Sequence, residues 1–271
     1  MKLDYYTLLC PEPIPLSVGT IKQPTLRDIG ILTFEKFNIF ELYLTIKPRE
    51  YCQITDNMRI REFWKIIDED QQNELTMYDI ALLDEYARMA YQDIFNFFFV
   101  EDVVFNKGVF LVLYKNDGIE SLSDESNIRG IISPTNFFEI INIIKQVCCI
   151  DIDEIFEEKK PKFKNAKAKK LYDKMLKATQ AQKEKQMKKD AINLTLPNII
   201  SATANKCFGL NIINIWDATL FQLYDQFNKA YLNDTHYINS VHIAVWGDEK
   251  NEFDSSLWYT NTFNQKSKRL T

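Results

Sequence analysis

The sequence predicts a predominantly helical α+β protein with a small amino-terminal strand pair, a β-hairpin near 103–114 and a helical carboxy-terminal region. Three observations carry that expectation. Apolar residues recur at helical spacing: Phe37, Phe40 and Leu44; then Phe63, Ile66 and Ile67; then Ile80, Leu83, Tyr86, Ala87, Ala90 and Ile94. Val103-Val104-Phe105 and Val109 to Tyr114 flank Asn106-Lys107-Gly108, a hairpin signal in which Gly108 is free to take a positive φ. Helix starts are written as Thr25 followed by Asp28, Thr76 followed by Asp79, and Ser133 followed by Pro134.

In chain order, Lys2 to Leu9 and Ile14 to Ile21 lean toward β, with Val18-Gly19-Thr20 as a turn between short extended pieces. Thr25 opens a helix whose inner face is Leu26, Ile29 and Leu32. Helices continue to Val100, and the one opened by Thr76 is expected to run unbroken to about Phe98. Asn96 to Val100 reads as core. After the hairpin and the polar Asn116–Asn127 loop, Ile131-Ile132 precedes a helix from Ser133-Pro134 to about Cys149. Leu196-Pro197 enters another helix, which Gly209 stops, and Asn214 to Asp217 starts a further one along Leu220, Leu223, Tyr224 and Phe227. His242 to Trp246 reads as a short strand, Gly247-Asp248 as a turn, and Phe253, Leu257, Trp258 and Phe263 as a last amphipathic stretch.

Charge divides the chain. Lys159 to Lys189 holds thirteen lysines against Asp173 and Glu184, a sum of +11, while the whole chain is at -5, so the remainder carries -16. Acidic residues from Asp151 to Glu158 abut this segment. The expected organisation is therefore a helix-rich α+β domain at 1–150, an acidic-then-lysine-rich linker or helical arm at 151–194, and a mainly helical region at 195–271. The lysine segment has no arginine and only Phe163 and Tyr172 as aromatics, which disfavours nucleic acid as its partner. Its charge suits an acidic protein surface, in this chain or a neighbour, with Lys183, Lys185, Lys188 and Lys189 as contacts.

Several function classes lose support from composition. Seven glycines in 271 residues, with no Gly-x-Gly-x-x-Gly and no Gly-x-x-x-x-Gly-Lys, leave no phosphate or dinucleotide cradle. Five cysteines include no Cys-x-x-Cys pair and read as reduced thiols, Cys148 and Cys149 as packing residues. His236 and His242, six apart, do not share a helical face for a metal. Asp68 to Asn73 lacks the glycine and closing glutamate of a calcium loop and reads as a solvated turn. We therefore expect no catalytic residue, no cofactor and no metal. Apolar runs such as Val109 to Tyr114 are far shorter than the roughly 20 residues of a spanning helix, and Met1 to Pro15 lacks a secretory h-region.

Leu196 to Ser201, Asn214 to Phe227, Val245 to Lys250 and Leu257-Trp258-Tyr259, together with Pro13 to Ile21 and Asn96 to Glu101, resemble proteins encoded with the tail genes of phages and prophages of low-GC Gram-positive bacteria. Members of this group look like tail assembly chaperones. The resemblance implies a non-enzymatic protein of the host cytoplasm that binds the tape measure protein during tail morphogenesis. Self-association is a further contact we weigh beside it. The alternative is a structural virion component, a tail completion or baseplate protein. An apolar surface for a long amphipathic partner is the physical requirement of the first reading. Trp216, Phe221, Tyr224, Trp246 and Trp258 are its candidate anchors, although their spacing suits core packing equally.

Overall fold

The structure, a computed structural model, describes residues 1–115, 127–150, 195–248 and 253–261. These fall into two compact units, one drawn from Met1–Ile152 with Asp217–Phe221, the other from Asp153–Trp216 with Gln222–Thr271. The protein is α+β and predominantly helical, as the periodicity predicts.

The first unit opens on α1 (Tyr5–Leu9), where β-leaning residues led us to expect a strand. Two contacts override that preference. The Asp4 carboxylate caps the helix by accepting from the Thr7 N–H at 2.7 Å. Beyond it, the buried Gln23 amide donates to the carbonyls of Thr7 and Glu12 and fixes the chain's exit. The strand pair forms entirely within the next stretch: β1 (Ile14–Leu16) and β2 (Gly19–Ile21) pair antiparallel with Ile14 opposite Ile21, so the turn sits at Ser17-Val18. Glycine is required on both sides of this hairpin. A Cβ on Gly19 would lie 2.8 Å from the Phe99 ring, and one on Gly130 would lie 2.4 Å from the Val18 carbonyl oxygen.

Helices α2 (Leu26–Leu32), α3 (Phe34–Thr45), α4 (Pro48–Ile54), α5 (Met58–Ile66) and α6 (Glu69–Glu74) follow. Thr25 and Asp28 form the expected capping box on α2. The stretch Asp68–Asn73, expected as a turn, is helical because Asp68 caps α6 by accepting from the Gln71 N–H. Another departure concerns the helix opened by Thr76. It ends at Leu83 as α7 (Met77–Leu83), and α8 (Glu85–Phe98) begins at once with Asp84 as its N-cap. The break shifts the helical phase, so Leu83 and Tyr86, read as inner-face residues, are exposed while Ala87 and Ile94 stay buried. Ile66 is likewise exposed, as the last residue of α5.

Strands β3 (Asp102–Asn106), β4 (Val109–Leu113) and β5 (Ile128–Ile132) form one antiparallel sheet in chain order. Positive φ at Lys107 and Gly108 closes the predicted hairpin. Helix α9 (Pro134–Val147) starts at the predicted proline, with the Asn136 side chain accepting from the Ser133 N–H. Between helices and sheet lies an aromatic core centred on Phe95, whose ring meets Phe110 at 5.1 Å, Phe137 at 6.0 Å and Tyr91 at 6.2 Å, the first two edge to face. Phe98 and Phe99 are buried beside it, as expected of that stretch. Two buried polar side chains in this unit are held by hydrogen bonds: Tyr78 donates to the Gly108 carbonyl, and the Gln146 side chain accepts from the Leu3 N–H and donates to the Met1 carbonyl.

The second unit contains α10 (Leu196–Lys206), which enters at Pro197 as predicted and stops at Cys207, two residues before Gly209. A 3-10 turn at Ile215–Asp217 precedes α11 (Leu220–Trp246). Where a strand was expected, His242 to Trp246 are the last turns of α11. Gly247 ends that helix with φ +80° and an N–H donated to the Ile243 carbonyl at 2.8 Å, a left-handed cap that satisfies a terminal carbonyl. A short 3-10 turn, Leu257–Tyr259, closes the described chain.

Candidate protein-binding groove

Asp84 builds the candidate site. Its side chain is fully buried, and its two oxygens are both engaged. Oδ2 accepts from the Tyr51 hydroxyl at 2.6 Å, and Oδ1 accepts from the Asn57 amide at 3.3 Å and the Tyr86 N–H at 3.1 Å. One carboxylate thereby ties α4, the Thr55–Asn57 connection into α5, and the first turn of α8. Three of the groups around this anchor, Tyr51, Asn57 and Tyr86, also line a groove of about 970 Å³ together with Leu42, Ile46, Ile54 and Met58. That volume is at the upper end for a ligand cleft.

The groove mixes exposed apolar and charged residues. Met58 is 70% exposed and Tyr86 73%, with Leu42 and Ile54 also exposed. Flexible methionine and amphipathic tyrosine are the side chains that adapt to a helical partner. Asp56 and Arg59 sit on the rim and offer one charge of each sign. Burial behind the groove pushes the Tyr51 hydroxyl far up, with the Asp84 hydrogen bond adding to it, and pushes the Cys52 thiol up to about 11, with the Asp84 charge second. At neutral pH Cys52 is therefore a thiol rather than a thiolate nucleophile.

None of the residues singled out from sequence lines this groove. Phe221 is buried, its ring edge on to Tyr5 at 6.1 Å. Trp216 and Tyr224 are half-buried, and the Trp216 indole donates to the Ile212 carbonyl. Trp246 and Trp258 are exposed, the latter edge to face with Tyr259 at 5.1 Å. Lys183, Lys185, Lys188 and Lys189 lie outside the described residues. Sequence reading missed Leu42, Ile54, Met58 and Tyr86. The available signal was Asp84 itself, a good N-cap type inside an apparently continuous helical pattern.

Among the described residues no helix is long and apolar enough to cross a membrane. No curated protein and no solved structure matches the chain. Residues 163–263 match the family model for the YomV second domain, a phage-associated family tied to a Bacillus prophage, so the last third of the chain is similar to a phage domain.

Proposed function

We propose that this chain is a non-enzymatic bacteriophage tail assembly protein, a chaperone that holds an amphipathic helix of the tape measure protein in the groove between α3, α4, α5 and α8. The observation that carries the reading is the open apolar lining of Leu42, Ile54, Met58 and Tyr86 over a fixed floor. Apolar side chains exposed together in one groove suit the apolar face of a partner helix. The phage-associated match of residues 163–263 supports the setting, and the partner follows from the resemblance to tail-gene products. Assembly would take place in the host cytoplasm.

Co-expression with the tape measure protein tests this. The expected result is a soluble tape measure protein that co-purifies with this chain, and loss of co-purification in Met58→Glu and Tyr86→Glu, two exposed positions whose substitution leaves the circular dichroism spectrum unchanged. A tape measure protein that is no more soluble, or that binds both variants normally, overturns the reading. Mass spectrometry of mature particles separates the structural alternative: a chaperone is absent, whereas a tail completion or baseplate part is present in fixed copy number.

A further inference from the structure

We infer that the far half of α11 is a self-association surface that docks a second copy of this chain. From Thr235 to Gly247 there is no Asp, Glu, Lys or Arg. Over the same turns Tyr237 is 70% exposed, Ile238 64%, Val241 48% and Val245 64%. At 100° per residue these four and Ala244 fall on one stripe about 120° wide, the width of a face that packs on another element. The face is uncharged at its centre, as the core of an interface is, and presents nothing that would select an oppositely charged partner.

Area and charge placement fit a second copy. The stripe leaves on the order of 500 Å² exposed per chain, so two copies would bury about 1,000 Å², the threshold for a specific interface and the range of a weak, reversible dimer. Identical faces related by a two-fold axis meet residue on residue, which an apolar stripe satisfies without any further complementarity. Asp234 lies on the same face, seven residues before Val241. At 1.5 Å per residue that is about 10 Å away, and two parallel helices aligned along their whole length would set this carboxylate against its copy. Asp234 is already paired with Lys206 at 2.8 Å. The arrangement that spares this acid is a crossing near Val241 at about 50°, whose ends splay apart.

Sedimentation of the full chain from about 1 to 200 μM is the test, with dissociation expected in the micromolar range typical of so small an interface. The wild type should pass from monomer to dimer, and Val241→Lys, which puts two ammonium groups at the axis, should raise the dissociation constant at least tenfold with an unchanged circular dichroism spectrum. Met58→Glu, in the groove, should dimerise as the wild type does, which keeps this inference separable from the chaperone reading. A wild type that stays monomeric throughout, or a Val241→Lys variant that dimerises normally, overturns it. Maleimide labelling of Val241→Cys adds a second readout: protection that persists at 1 μM would mean that residues of the same chain cover the face, and would also overturn the proposal.

Discussion

Phe95 and Trp246 are both large aromatic side chains on long helices, yet Phe95 is 0% exposed and Trp246 75%. Around Phe95 the chain supplies cover in layers, the β3–β4–β5 sheet on one side and α9 on another, and closes the gaps with polar locks at Gln146, Asp84 and Glu101. Around Trp246 the described residues offer much less. The far half of α11 is touched by the Phe253 ring, 5.4 Å from that of His236, and none of the described residues after Asp225 is buried. A helix of this kind owes little to tertiary packing and is marginal by itself. The contrast separates a region that specifies its own shape from one whose shape is completed by something else, and the groove over Asp84 lies on the edge of the first kind.

The largest expected effect tests the closed region. Phe95→Ala removes the ring at the centre of the aromatic core and should cost about 3–5 kcal/mol, measured by denaturant unfolding at constant m-value. Asp84→Ala should cost less, about 2–4 kcal/mol, by stranding the Tyr51 hydroxyl and the Asn57 amide and removing the cap of α8. Its distinguishing sign is loss of tape measure co-purification in excess of the loss of stability, because the floor that sets Met58 against Tyr86 has gone. A variant that unfolds earlier yet binds normally at low temperature would show that the groove does not depend on this anchor.

Legibility in the sequence follows the same division. The β3–β4 hairpin, the capping boxes at Thr25 and Thr76 and the proline start of α9 were readable because turn and cap chemistry is local, confined to residues three or four apart. Local propensity misled in the cases that were not. Tyr5–Leu9 is helical through a cap and the Gln23 amide, and His242–Trp246 is helical although its β-branched residues favour a strand. The candidate groove was hidden for a related reason. Its apolar residues sit at the same spacings as core residues, and only the break at Asp84, which shifts the phase of α8 against α7, sends Leu83 and Tyr86 outward. Periodicity tells which residues share a face but not whether anything covers it.

The smallest effect is also the sharpest comparison, because both substitutions fall on one helix. Leu223 and Ile238 both lie on α11, separated by fifteen residues, but Leu223 is 0% exposed and Ile238 is 64%. Leu223→Ala should cost about 2–5 kcal/mol through lost transfer energy and the cavity it leaves. Ile238→Ala should change unfolding by less than about 0.5 kcal/mol, since alanine's higher helix propensity offsets the little burial lost. The measurement belongs below 1 μM protein, where mass action keeps a weak dimer dissociated. Raising the concentration should then make Ile238→Ala destabilising relative to wild type while the Leu223→Ala penalty stays constant. If the Ile238→Ala penalty is already large in the dilute monomer, the far half of α11 is covered within a single chain, and the contrast with Phe95 disappears.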